Sequence, residues 1–135
     1  MALEEALATG LIETRTARVR LEMSGIVRLT LRQGVAQTLT DAQANLRALT
    51  TTSDHKLRPV LIDARYVKHG DWHLRHYLAH GAASRAQVYA VLSSSSLLAF
   101  VANIWFVYGY RPPPTRLFTS ESDALEWLRP FLMMA

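Results

Sequence analysis

The chain has 135 residues; half are hydrophobic, 19% are charged, and the formal net charge is +4. This length is enough for one domain with a sizeable core, and the composition excludes an intrinsically disordered chain. Because the sequence contains no cysteine, disulfides, thiolate metal sites and cysteine nucleophiles are excluded. The basic residues are scattered and form no long run, so the weak positive charge predicts no nucleic-acid partner.

The beginning of the chain predicts an N-terminal arm, residues 1–15, followed by a single domain that covers residues 16–135. The arm is first acidic and then apolar. It lacks the basic segment and the long apolar run of a secretory signal, so we expect a cytoplasmic protein.

A β-hairpin is predicted directly after the arm. Apolar and polar residues alternate over residues 17–23 and again over 27–32, which is the period of a strand with one buried face. Ser24 and Gly25 lie between these runs and predict a tight turn. Four arginines occupy polar positions of the two strands and should share the solvent side: Arg18, Arg20, Arg28 and Arg32. They carry no interleaved aromatic residue, which favours edge protection and solubility over nucleic-acid binding.

The first helix and two buried strands are predicted next. Thr40 is the expected N-cap of the helix, with Gln43 completing a capping box. Residues 59–63 and 88–92 are apolar without alternation, so they predict strands that are covered on both faces.

Three further helices are expected in the second half of the chain. One covers residues 71–83, and another runs from the serines at 93–96 to Tyr110. After a short strand at 115–118, Ser120 predicts the N-cap of a last helix that Pro130 should limit.

The complete order is therefore ββαβαβαβα, which predicts an α/β fold with a single-layer mixed β-sheet and helices. Right-handed crossovers should place the later strands parallel to one another beside the hairpin.

Together with VLIDAR at residues 60–65 and PTRLFTSESDALEWL at 114–128, this order resembles the STAS superfamily. It is most similar to the bacterial SpoIIAA-like, or STAS/SEC14-type, proteins of unknown function, and the resemblance covers residues 16–132. It implies the STAS/SpoIIAA-like fold. In anti-sigma-factor antagonists of this superfamily, a kinase phosphorylates a serine just after the strand-final aspartate. The matching positions here are Ala64 and Arg65, which implies that the phosphorylation switch is missing.

A histidine cluster is the first candidate for a metal site. Spacings of three and four place His73, His76 and His80 on one face of the predicted second helix. That face is opposite the leucines of the same helix, and no carboxylate shares it. We therefore expect solvent-exposed histidines and neither a bound metal nor a cofactor.

Candidate catalytic groups are few. Asp63 ends a predicted strand at the carboxyl edge of the sheet, where α/β folds place their sites, but no second carboxylate follows at a defined spacing. A strand-final aspartate more often caps the next turn. The serines at 93–96 could hold an anion at a helix start, although helix capping is the simpler interpretation. We expect a protein that is not an enzyme.

The apolar segment from Ser93 to Tyr110 is too short for a transmembrane helix, which needs roughly twenty residues. On a helical wheel, one side of it suits burial against the sheet. Leu98, Ala102, Trp105 and Phe106 point in other directions and need a second cover. The cover could be the second helix through Trp72 and Tyr77, a second copy of the chain, or an apolar ligand whose polar end meets Tyr108, Tyr110 and Arg111.

The sequence thus predicts a non-catalytic STAS-like interaction module that forms a homodimer through its third helix and could bind a regulatory protein. The alternative is binding of a lipid-like apolar molecule beside the second and third helices. Both hypotheses use the same set of interface or ligand residues: Trp72, Tyr77, Leu98, Ala102, Trp105, Phe106, Tyr108, Tyr110 and Arg111.

Overall fold

A computed structural model describes residues 10–67, 86–94 and 114–133, and these residues form a six-stranded sheet with two helices. The strands are β1 (Leu11–Glu13), β2 (Ala17–Leu21), β3 (Val27–Leu31), β4 (Pro59–Asp63), β5 (Val88–Leu92) and β6 (Thr115–Phe118). Helix α1 (Leu39–Thr52) follows β3, and helix α2 (Glu121–Leu132) follows β6.

The sheet is mixed, and its strands lie in the order in which they occur in the chain. Strands β1, β2 and β3 pair antiparallel, whereas β3, β4, β5 and β6 pair parallel. The predicted hairpin, the mixed sheet and the parallel later strands are confirmed. The helices expected at residues 71–83 and 93–110 lie outside the described residues, apart from Ser93 and Ser94, so the full predicted order is not tested.

Strand β1 is an addition to the predicted elements. The sequence placed residues 11–13 in the N-terminal arm, but they pair with β2, with Ile12 opposite Val19. Ile12 also packs against the hydrophobic core, which holds this short segment on the sheet. Because β1 pairs with β2, β2 is not an edge strand of the sheet. The prediction that its arginines protect a sheet edge was therefore wrong.

The turn between β2 and β3 follows the prediction at Gly25, whose φ is +101°. The backbone N–H of Glu22 donates to the carbonyl of Ile26 at 2.8 Å and closes the turn. The alternation over residues 17–23 placed Met23 on the buried side of the strand. That prediction was wrong, because β2 ends at Leu21 and the side chain of Met23 is fully exposed.

Helix α1 begins two residues earlier than the sequence predicted. Thr38 is its N-cap, because the hydroxyl of Thr38 accepts the backbone N–H of Asp41 and the carboxylate of Asp41 accepts the backbone N–H of Thr38. This capping box replaces the expected one at Thr40 and Gln43, which are exposed. Arg15 donates to Asp41 through Nε at 2.9 Å and Nη2, so the cap also has a partner from outside the helix.

The two helices pack on opposite faces of the sheet and over different strands. Helix α1 packs on β1–β3, and helix α2 packs on β4–β6. We call the two sides the α1 face and the α2 face. One row of core residues runs across the α1 face: Val19, Leu29, Ile62, Val91 and Leu117. The core of the α2 face contains Ile26, Leu61, Val88, Ala90, Leu92, Ala124 and Leu128. Strands β4 and β5 are buried throughout, as predicted.

Helix α2 has the predicted N-cap, since the hydroxyl of Ser120 accepts the backbone N–H of Asp123. The sequence predicted that Pro130 limits the helix, but the helix continues to Leu132. Only Phe131 and Leu132 of the helix follow this proline, whose ring is exposed, so the missing N–H interrupts little of the helix. The N–H of Met133 then donates to the carbonyl of Pro130 at 3.2 Å.

Candidate functional site

The carboxyl edge of the parallel strands contains a buried aspartate. Asp63 ends β4, and its side chain is only 3% exposed. Its Oδ1 accepts the backbone N–H of Arg65 at 3.2 Å and the Nε–H of the same residue at 3.0 Å. Its Oδ2 accepts Nη2 of Arg65 at 2.8 Å. The predicted capping of the turn after β4 is confirmed, and the capped arginine adds a bidentate ion pair.

Two more elements meet at this aspartate. Glu121, the first residue of α2, accepts Nη1 of Arg28 at 3.0 Å and Nη2 of Arg65 at 3.1 Å on the same oxygen, Oε1. Arg28 comes from β3, and its Nη1 lies 3.8 Å from Oδ2 of Asp63. Its Nε donates to Glu22 at 2.9 Å. We call these five residues the edge network; they connect the β2–β3 turn, β3, β4 and α2.

The electrostatics keep both central carboxylates ionised. Burial opposes ionisation of Asp63, but the hydrogen bonds and charge of Arg65, with a contribution from Arg28, outweigh it and hold its pKa below the ordinary value. The pKa of Glu121 is lowered chiefly by the hydrogen bond from Arg28. A general acid near neutral pH needs a raised carboxyl pKa, so this arrangement suits Asp63 for holding elements together rather than for proton transfer.

A second group of charges lies on the α2 face next to the edge network. Glu13 of β1 receives Nε of Arg18 at 3.3 Å and Nη2 of Arg32 at 3.4 Å, one on each carboxylate oxygen. Both arginines line an open concavity of about 480 Å³, which we call the arginine groove. Its wall residues are Arg18, Thr30, Leu31, Arg32, Gln33, Val35 and Tyr66.

The comparisons with known proteins give a family and one fold neighbour. The model of a family described as a domain of unknown function, DUF7793, matches residues 19–132. The chain belongs to this family. The match covers all described secondary structure except β1 and the first two residues of β2.

One solved structure adds a fold relationship to the DUF7793 assignment. An uncharacterised protein of the DUF3478 family from Shewanella loihica PV-4, with a SpoIIAA-like fold, is similar over 88% of this chain and 90% of its own, with 16% identity and a TM-score of 0.53. A protein with unknown function from Arthrobacter sp. FB24 is 29% identical over 87% of this chain and 95% of its own, with a TM-score of 0.34. No curated protein is significantly similar to the chain. The expected SpoIIAA-like fold is confirmed by the Shewanella protein.

The two positions that the sequence resemblance placed at the phosphorylation site of anti-sigma-factor antagonists have structural roles in this DUF7793 domain. Ala64 is buried, and its N–H donates to the carbonyl of Leu92 at 2.9 Å. Arg65 pairs with Asp63 and Glu121. These contacts join the end of β4 to β5 and to α2.

Of the serines at 93–96, the structure describes the first two. Ser93 is buried after β5, and its N–H donates to the carbonyl of Phe118 at 2.8 Å, which extends the pairing of β5 with β6. Ser94 is exposed.

All predicted interface and ligand residues lie outside the described residues, and so do the three histidines of the candidate metal cluster. Over residues 10–67, 86–94 and 114–133, the structure contains no group of three or more side chains suited to hold a metal ion. Within the same ranges, no helix is long and apolar enough to cross a membrane.

Sequence reasoning missed the carboxylates that organise this surface. Glu13 was assigned to the arm, and Glu121 was given no role. Two signals were available. The surplus of arginines on one face of the hairpin indicated that carboxylates lie nearby. Glu121 follows the N-cap of a helix and therefore lies at the carboxyl edge of the parallel strand before it. Neither signal says which arginine each carboxylate meets.

Proposed function

We propose that this DUF7793 protein is a non-catalytic interaction module that forms a homodimer through the apolar segment at residues 97–108. The observation that carries the proposal is the position of α2. Ala124 and Leu128 of this helix are fully buried against Leu61 and Leu92, so α2 already occupies the α2 face over β4–β6.

The segment at residues 97–108 belongs to the connection between β5 and β6. Because α2 covers the α2 face over these strands, the proposal places the segment against the α1 face of β4–β6. A helix can bury one side on a sheet, but here Leu98, Trp105 and Phe106 point away from that side on the helical wheel. Burial of one such side chain is worth about 1.5–3 kcal/mol, which favours a second copy as the cover.

The non-catalytic part of the proposal is supported by the chemistry of the strand-carboxyl edge. Asp63 is engaged by Arg65 on both oxygens, and its lowered pKa does not suit proton transfer near neutral pH. Ala64, at the position of the phosphorylated serine in the antagonists, has no hydroxyl group. A regulatory protein partner would therefore bind by surface contacts, without that phosphorylation as a switch.

The proposal predicts a concentration-dependent dimer in sedimentation velocity that Trp105→Glu weakens at least about tenfold, because a carboxylate would be buried in an apolar interface. Leu57→Glu is the matched control, since Leu57 is an exposed leucine in the loop before β4. Circular dichroism of both variants establishes that they are folded. A wild-type chain that stays monomeric at the highest concentration reached contradicts the proposal, whatever the variant does.

Native mass spectrometry of the wild-type chain separates the two covers that the sequence left open. A dimer without added mass supports self-association. A monomer that carries an apolar molecule of a few hundred daltons contradicts it and assigns the segment to binding of a lipid-like ligand.

A further inference from the structure

The charges on the α2 face of β1–β3 divide into two groups with different balance. The larger group is the edge network together with Arg20, whose Nη2 lies 3.6 Å from Glu22. It contains three guanidinium groups, from Arg20, Arg28 and Arg65, and three carboxylates, from Glu22, Asp63 and Glu121. Its formal charge is zero.

The smaller group is not balanced. Arg18 and Arg32 share the single carboxylate of Glu13, so two guanidinium groups meet one carboxylate and the formal charge is +1. Both arginines line the arginine groove. The two groups together contain nine charged side chains, and their net charge of +1 comes from the smaller group. This positive charge therefore lies at a concavity.

The donors in this group are also incompletely used. A guanidinium has five N–H donors, and each of these two arginines reaches Glu13 by one contact longer than 3.2 Å. The Nε of Arg32 is buried and has no hydrogen-bond partner, which is unusual because buried polar groups are normally satisfied. Arg18 keeps 60% of its side chain exposed. Because Nε of Arg32 is itself buried, the spare donors that an oxyanion can reach are those on the exposed parts of the two side chains.

The remaining walls suit a flat apolar body. Tyr66 is exposed, and the guanidinium of Arg65 lies over its ring at 5.4 Å from the centroid, which limits how the ring can turn. Val35 adds apolar surface. The volume of about 480 Å³ is within the range of small-molecule sites.

We propose that the arginine groove binds a small aromatic oxyanion, with its phosphate or carboxylate between Arg18 and Arg32 and its ring against Tyr66. This site lies on the opposite face from the one that the dimer proposal uses, and it requires no self-association. Either proposal can therefore fail alone.

The test is a titration of the isotope-labelled full chain at low salt, followed by amide chemical shifts, with phenyl phosphate, benzoate and inorganic phosphate as probes. We expect shifts at residues 18, 30–33 and 66, and tighter binding of phenyl phosphate than of inorganic phosphate. Arg18→Gln should weaken phenyl phosphate at least about fivefold, because a charge-assisted hydrogen bond is lost. Arg20→Gln is the control, since Arg20 lies on the same strand and is similarly exposed but is outside the groove.

Glu13→Gln gives the more discriminating result. Removal of the competing carboxylate raises the formal charge of the pair to +2, so we expect phenyl phosphate to bind about fivefold more tightly. A merely structural role of Glu13 would not strengthen binding. Tyr66→Leu should abolish the preference of phenyl phosphate over inorganic phosphate.

Three results would overturn the inference: no shifts at the groove amides with any probe, equal losses for Arg18→Gln and Arg20→Gln, or weaker binding in a folded Glu13→Gln variant. If phenyl phosphate and benzoate bind equally, the site recognises the negative charge and the aromatic ring but not the type of oxyanion, which supports the proposal. If only phenyl phosphate and inorganic phosphate bind, the site is one for phosphate groups.

Discussion

The α2 face of the sheet has two halves that differ in their cover and in the polarity of their side chains. One row of neighbouring residues crosses both halves, from β1 to β5: Glu13, Arg18, Thr30, Asp63 and Leu92. Over β4–β6 the part of the face under α2 is apolar, and the polar exceptions are Asp63 at the end of β4 and the exposed Arg116 of β6. Over β1–β3 no described helix covers it, and its charged side chains pair with one another. The composition of each half therefore follows from what lies above it, and Glu121 of α2 connects the two halves through Arg28 and Arg65.

The covered half should be the more sensitive to truncation. Leu128→Ala removes a fully buried side chain between α2 and the sheet, and we expect a loss of about 3 kcal/mol in the free energy of unfolding, measured by urea denaturation. Arg129→Ala in the same helix is exposed and should change it by less than about 0.5 kcal/mol. Similar losses of unfolding free energy for the two variants would show that packing of α2 does not stabilise this half of the sheet.

At the boundary between the halves, Asp63→Asn should cost about 2 kcal/mol. The substitution removes the charge that satisfies Arg65 on two oxygens, while the new amide cannot accept both contacts. Asp54→Asn is the control, because Asp54 is exposed in the loop after α1 and asparagine tolerates its positive φ. If Asp63→Asn lowers the free energy of unfolding no more than the control does, the edge network does not stabilise the fold.

The pH dependence sharpens this comparison. The pKa of Asp63 is lower in the folded state than in the unfolded chain, so its contribution is fully present above about pH 4 and is lost as the pH falls through the folded-state pKa. The difference in unfolding free energy between wild type and Asp63→Asn should stay constant from pH 7 to about pH 5 and shrink below about pH 4. A difference that grows on acidification would show the opposite shift. Urea denaturation at each pH measures it.

Within the charged half, burial should decide what each arginine contributes. Arg28 is half-buried and contacts three carboxylates, whereas Arg20 is mostly exposed and has one contact at 3.6 Å. We expect Arg28→Gln to cost about 1 kcal/mol more than Arg20→Gln, whose own effect should be below about 0.5 kcal/mol. Thermal denaturation of the two variants at equal ionic strength gives the comparison. Equal melting temperatures would mean that the network is as weak as isolated surface pairs.

Much of the fold could be predicted because its signals are periodic and local. The alternation at Val27, Leu29 and Leu31, and the unbroken apolar runs of β4 and β5, report directly on how many faces of a strand are covered. Capping was less certain, since several polar residues precede α1. Thr38 serves as the N-cap instead of Thr40 because the carboxylate of Asp41 completes the capping box with Thr38 and is itself held by Arg15.

The candidate sites were predicted less well. The chosen interface residues fall on parts of the chain that the structure does not describe, so the dimer and the apolar ligand stay predictions. The arginines were placed on the correct face, but their partners and the groove were not foreseen. Glu13 belongs to a strand too short to show a period, and Tyr66 lies in the turn after β4, which has no periodic signal.

The sequence by itself determined which residues of β2 and β3 face the core, because side-chain direction alternates along a strand whatever the strand pairs with. It also determined the approximate limits of most of the described elements. Only the tertiary structure decided which strand lies beside which, and hence that Glu13, Glu22, Asp63 and Glu121 would meet five arginines on one face. Such contacts join residues that are far apart in the chain, and no local pattern specifies them.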